Sequence, residues 1–160
     1  MKVMLSNECK LGKILIERGL QVSVAESCTG GLLSSRLTDV SGSSAYTQAN
    51  FVTYSNEAKH LILGVSEETL EKYGAVSEEC ARKMAEGLVC KTGCDLAICI
   101  TGFAGPTGDK IGLAYISVAY KGEVIVQKFL LNPEYDRKKM KFMFTEKALE
   151  LALDIIKEAA

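Results

Sequence analysis

Apolar residues recur at helical spacing over residues 7–18, where Leu11, Ile14 and Leu15 share a face and Gly19 supplies a stop. Residues 21–25 form a short apolar run that reads as a strand, and residues 32–37 belong to a helix opening just after Gly30-Gly31. A loop follows at Ser41-Gly42-Ser43-Ser44, then a strand at 50–54 and a short helix at 56–63 that Gly64 ends. Ser66 precedes Glu67 and Glu68, and Ser77 precedes Glu78 and Glu79. Each is a cap with acids in the first turn, which predicts helices to about Tyr73 and about Lys91. Residues 95–101 are apolar almost throughout, as suits a strand buried on both faces. Residues 112–120 and 123–131 flank Lys121-Gly122, a hairpin signal, and Pro133 stops the second of them before a long closing helix over 134–158.

This succession predicts an α/β fold: a single-domain layered sandwich over residues 1–160, with a mixed β-sheet and helices on both faces. A hydrophobic fraction of 48% in 160 residues is ample for one core. Acidic and basic side chains nearly balance, 20 against 19, and no basic stripe runs along the chain, so nucleic acid is not an expected partner. The densest basic cluster, Arg137-Lys138-Lys139 with Lys141, reads as a solvated helix face that leaves one member open for a small anion. No segment reaches the roughly 20 apolar residues of a membrane span. The first ten residues lack a signal-peptide core, which places the protein in the cytoplasm without a membrane partner. Six cysteines then have no oxidising compartment to pair in. Cys90 and Cys94 do not form C-x-x-C and the only histidine is His60, so no metal or other cofactor is expected. Cys99 reads as core, whereas Cys28, at a helix start, is the thiol placed for a lowered pKa.

The chemistry gathers where the first strand meets its turn, at Ala25-Glu26-Ser27-Cys28-Thr29-Gly30-Gly31. A serine there can cap the next helix, or act as a nucleophile whose oxyanion rests on the turn amides. A second glycine-rich loop, residues 101–108, follows the central strand, and the two loops frame one pocket if both strands run the same way. Neither matches a phosphate loop or G-x-G-x-x-G. A nucleophilic serine needs a base, and both His60 and Lys59 are available on one short helix, their side chains about 100° apart. Lys59 qualifies if burial lowers its pKa, with Tyr54 and Asn56 as nearby orienting groups; a solvated lysine is the plain alternative.

Four blocks in this order resemble the signature of the CinA C-terminal domain family, also called nicotinamide-nucleotide amidohydrolases: Glu26–Gly31, Thr53–Lys59, Gly74–Glu79 and Thr101–Pro106. The resemblance runs from about Cys9 to the end. The family often carries a further N-terminal domain, so the chain is expected to be the stand-alone form. The loop at Thr107–Ile111 is shorter than the family's, and Ala49-Asn50 stands where the family tends to have two glycines. The resemblance implies hydrolysis of the carboxamide of nicotinamide mononucleotide to nicotinate mononucleotide and ammonia. It implies a Ser–Lys dyad of Ser27 and Lys59, beside which Tyr54 is the orienting neighbour that the residue pattern itself suggests. The oxyanion would sit on the turn of Cys28, Thr29, Gly30 and Gly31. The loop carrying Thr101, Gly102 and Gly105 is expected to meet the nucleotide, and Arg137 its phosphate. A homo-oligomer, most simply a dimer, is expected from the resemblance and from the apolar hairpin. Two rival readings are a nucleotide-binding module without turnover and an accessory protein of DNA uptake or repair.

Overall fold

Continuous burial sets the middle of the molecule: β3 (Leu96–Gly102) is buried along all but its last residue and β1 (Val22–Glu26) along its whole length. The structure, a computed structural model, describes residues 4–158. The five-stranded sheet has the order β2-β1-β3-β4-β5, with β2 at Phe51–Val52, β4 at Leu113–Tyr120 and β5 at Glu123–Leu130. β1 pairs in parallel with both β2 and β3, while β3–β4 and β4–β5 are antiparallel. The mixed sheet of the sequence reading is therefore realised, and β1 and β3 do run the same way.

Alternation along the central strands explains the two layers. Leu96, Ile98 and Ile100 point to a core shared with α1 (Asn7–Arg18), α2 (Leu32–Thr38) and α6 (Arg137–Glu158). Ala97 and Cys99 point the other way, to α3 (Asn56–Leu63), α4 (Glu67–Tyr73) and α5 (Glu78–Thr92). Serine caps start four of these helices: Ser6, Ser55, Ser66 and Ser77 accept from the amides of Cys9, Ala58, Thr69 and Cys80. None of the described helices is long and apolar enough to cross a membrane.

Two boundaries differ from the sequence pattern. The closing helix starts at Arg137 because the Asp136 carboxylate accepts the Lys139 amide (2.7 Å) and caps it there. The strand expected over 50–54 contracts to Phe51–Val52. Thr53 N–H still donates to the Glu26 carbonyl (2.8 Å), but the carbonyls of Thr53 and Tyr54 turn away from the ladder to Lys59 Nζ. Of the consecutive Phe142, Met143 and Phe144, Phe144 is fully buried and Phe142 is exposed beneath the Arg36 guanidinium, 4.5 Å from its ring centre.

A buried ion-pair cluster fixes α6 to the first two helices. Arg36 Nε donates to Glu8 (2.6 Å), Nη1 to the Thr145 hydroxyl (2.9 Å) and Nη2 to Glu146. Burial pushes the Glu8 carboxyl up, but the Ser6 hydroxyl and Arg36 together outweigh it and hold the group below its usual value. On the opposite layer, α3 leans on α5 at Gly87, where any β-carbon would collide with the Leu63 carbonyl.

Gly87→Ala must push α3 off α5, and overpacking of this kind costs roughly 1–3 kcal/mol. Because α3 carries Lys59, the variant is expected to lower both the urea midpoint and the reactivity of the site. Unchanged stability would show that α3 is not seated by this contact.

Candidate active site

The parallel run of β1 and β3 brings their carboxyl ends together, so the turn after β1 and the loop after β3 lie side by side. Ser27 is the first residue beyond β1, and its amide still donates to the Ile100 carbonyl of β3 (3.1 Å). The turn closes on itself through Gly30 N–H to the Ser27 carbonyl (3.1 Å) and Leu32 N–H to the Thr29 carbonyl (3.2 Å). Among the described residues, the amides of Cys28, Thr29 and Gly31 donate to no main-chain carbonyl. Those three, rather than Gly30, are the donors that main-chain pairing leaves free.

Lys59 projects from α3 into this corner and is 1% exposed. Its Nζ lies 3.0 Å from Ser27 Oγ, 2.9 Å from the Thr53 carbonyl and 3.2 Å from the Tyr54 carbonyl. A charged lysine has three protons to give and a neutral one has two, plus a lone pair. A charged Lys59 donates to Ser27 Oγ as well as to the two carbonyls; in the neutral form the two carbonyls take both protons and the lone pair is left for Ser27. Desolvation by burial holds the Lys59 pKa below its ordinary value, which favours that neutral form.

The thiols near this group behave otherwise than the sequence suggested. Cys28 does not have a lowered pKa: burial pushes it up to about 12, and the nearby Arg137 charge only partly offsets that. Cys80, also buried, is pushed up to about 11. Both are neutral thiols near pH 7, packed close to Lys59 without charge. His60 is turned away from Ser27, its Nδ1 2.7 Å from the Val65 carbonyl and its Nε2 3.9 Å from Glu67. It therefore has no place as the base.

Tyr54 takes part through its main chain. Its carbonyl faces Lys59 and Ser27 Oγ, while its exposed ring carries the hydroxyl outward to accept from Arg137 Nη2 (3.0 Å). Arg137 Nη1 donates to the Gly105 carbonyl, so one guanidinium ties α6 to the segments after β2 and after β3. Lys141, one helical turn on, brings its Nζ to 3.6 Å from where a Gly30 β-carbon would stand. Arg137, whose charge acts on Cys28, and Lys141 thus both overlook the Ser27 turn. Thr101 gives its hydroxyl to the Ala75 carbonyl (2.8 Å) and faces the interior. Gly102 is glycine because a β-carbon would stand 2.7 Å from the Leu113 carbonyl, a demand of the β3–β4 pairing itself. Gly105 has φ +77° and is followed by a cis bond to Pro106.

Glu26 is the site residue that pattern reading passed over. It is fully buried, and its carboxylate accepts from the Thr29 hydroxyl (2.7 Å) and the amides of Leu33 (2.8 Å) and Ser34 (3.0 Å). The available signal was an acid at the end of a largely apolar strand, one short turn ahead of a helix start.

A profile described as the CinA C-terminal domain matches residues 5–156. A CinA-like protein of Chloroherpeton thalassium is 47% identical over 152 residues, covering 91% of this chain and 36% of that protein. A putative competence-damage inducible protein of Caldicellulosiruptor saccharolyticus is 47% identical over 150 residues, covering 91% and 35%. The chain spans about a third of the length of the curated relatives it matches. Among solved structures, the competence/damage inducible protein CihA from Agrobacterium tumefaciens superposes with a TM-score of 0.86 at 35% identity, covering 96% of this chain and 98% of that one. The competence damage-inducible protein A (ComA) from Klebsiella pneumoniae gives 0.89 at 30% identity, covering 94% and 95%.

The lowered Lys59 pKa makes a stability prediction. Between the folded value and the ordinary 10.5, the unfolded chain binds more protons at Lys59 than the folded one. Folding is therefore penalised below the folded value, and the penalty disappears as pH rises towards 10.5. Urea titrations of the wild type and Lys59→Met should show the wild type gaining stability relative to the variant across that interval. A constant difference would mean that Lys59 keeps its ordinary pKa.

Proposed function

The chain belongs to the CinA C-terminal domain family, and from that premise we propose that it hydrolyses the carboxamide of nicotinamide mononucleotide. The observation that carries the reading is the 3.0 Å contact between Ser27 Oγ and the Nζ of a buried lysine. Neutral Lys59 takes the Ser27 proton as the oxygen attacks the amide carbon. The tetrahedral oxyanion rests on the free amides of Cys28, Thr29 and Gly31, each such donor being worth about 3 kcal/mol in comparable sites. Lys59 returns the proton to the leaving nitrogen, which departs as ammonia. Water, with Lys59 again as base, then cleaves the acyl-enzyme to nicotinate mononucleotide.

The substrate's phosphate is assigned to the Arg137 and Lys141 side of the site, where a guanidinium can grip it bidentately. Arg137 holds the Gly105 carbonyl and the Tyr54 hydroxyl in the free protein, so it would exchange those neutral acceptors for a charged one. A binding module without turnover has no use for a desolvated lysine against a serine. A DNA-binding accessory role finds no support in a net charge of −1. Among the described residues no group of three His, Cys, Asp or Glu is placed to hold a metal ion, and the base in this scheme is an amine.

The pure protein should release ammonia from nicotinamide mononucleotide at a rate that EDTA does not alter, and an obligatory divalent ion would sink the scheme. Ser27→Ala and Lys59→Ala should each lower kcat roughly a thousandfold or more, and the double variant should be little worse than either. Independent, multiplying losses would mean that Lys59 only holds substrate. The acid limb of kcat/KM should have its midpoint below the 10.5 of an ordinary lysine, since activity needs the neutral amine.

Arg137→Ala should raise KM for the mononucleotide and leave hydrolysis of nicotinamide riboside, which lacks the phosphate, nearly unchanged. Equal losses on both substrates would return Arg137 to a purely structural strap.

A further inference from the structure

We propose that Glu26 is the positioning residue that holds the two halves of the Ser27–Lys59 pair in register, an inference that rests on the amide-hydrolysis reading above. Glu26 touches both halves. Its main-chain carbonyl accepts the Thr53 amide (2.8 Å), and Thr53 in turn gives its own carbonyl to Lys59 (2.9 Å). Its carboxylate reaches past Ser27 to the Thr29 hydroxyl and to the amides of Leu33 and Ser34. Ser27 lies between the end that seats the base and the end that seats the turn.

An ordinary helix cap would not do this. The residue at the cap position of α2 is Gly31, which offers no side chain, and a serine there would satisfy the same helix amides locally. A carboxylate sent from the preceding strand instead spans the whole Ser27–Gly31 turn and fixes it at both ends. The turn has two glycines at positive φ, Gly30 and Gly31, and so has little stiffness of its own. The amides of Cys28, Thr29 and Gly31 lie on the segment that Glu26 holds at both ends.

Only a carboxylate meets the demand. Leu33 and Ser34 present N–H groups that can only donate, one to each oxygen, and Thr29 adds a third donor. A glutamine must turn its own NH2 against one of them, and at full burial no water relieves the clash. The misorientation then falls on the amides that receive the oxyanion. Lys59, held through main-chain carbonyls, keeps its place.

The test compares wild type, Glu26→Gln and Thr29→Val, the last of which removes one of the three bonds and leaves the helix amides capped. Glu26→Gln should lower kcat about 100-fold, as expected for a displaced oxyanion donor, with KM and the pH midpoint of the acid limb held near wild type. Thr29→Val should fall between the two. Wild-type kcat in folded Glu26→Gln overturns the proposal, as does a loss that only follows the folded fraction seen by circular dichroism or one confined to KM. Should Glu26→Gln fail to fold, Thr29→Val decides, and wild-type kcat there overturns it. A fluorophosphonate probe of Ser27 separates this from the substrate assignment. If the wild type labels but does not turn over the mononucleotide, only the substrate is wrong, and the same loss is expected in labelling rate. If it does neither, the Ser–Lys reading and this inference fall together.

Discussion

A lysine buried to 1% exposure needs compensation, because an ammonium group taken out of water costs several kcal/mol unless its protons are received. In this protein two main-chain carbonyls, those of Thr53 and Tyr54, receive two of its protons, and burial favours loss of the third, which leaves the lone pair for Ser27 Oγ. That one arrangement accounts for much around it. β2 is only two residues long because the next carbonyls are diverted to Lys59. α3 starts immediately after them, capped by Ser55, so that Lys59 returns over the segment that receives it. The missing side chain at Gly87 lets the far end of α3 settle on α5. Burial both confines the amine and lowers its proton affinity, so the same packing that makes a charged Lys59 costly favours the neutral form that can accept the serine proton.

A second buried charge stands on the other side of Ser27. Glu26 is as deeply buried as Lys59, yet the two are satisfied by different partners: Lys59 by acceptors at the end of β2, Glu26 by donors at the start of α2. Keeping them apart matters, since a direct ion pair would hold the lysine charged. A third buried charge, Arg36, does a structural task. It joins α1, α2 and α6 through Glu8, Thr145 and Glu146, and so holds the helix that presents Arg137 and Lys141 over the Ser27 turn.

What residue type leaves undecided around the site has one physical reason. Cys28 stands at a helix start beside cations, a pattern that lowers a thiol's pKa at an exposed site, but here desolvation outweighs the charge of Arg137. Tyr54 was legible as a neighbour of Lys59, and the structure adds that its carbonyl is the group that faces the amine. The glycines at 102 and 105 read as room for a ligand, and Gly102 proves to be room for β4. Glu26 stood in the motif with no role given to it. In each case the deciding quantity was burial or main-chain direction, and neither is written in residue type.

What the chain itself determined is local. Helical and strand periods, serine caps before acidic first turns, glycine stops and the Lys121-Gly122 hairpin follow from side-chain entropy and backbone sterics within a few residues. Membership of the family was legible too, because four blocks in order are a property of sequence alone. Only the tertiary structure decided that Ser27 and Lys59, 32 positions apart, meet at hydrogen-bonding distance, that His60 on the same helix does not, and that Lys59 loses its water. Those outcomes depend on which surfaces the parallel pairing of β1 with β2 and β3 brings together and seals. Proton affinity follows the dielectric and the partners a fold supplies, and no window of sequence contains them.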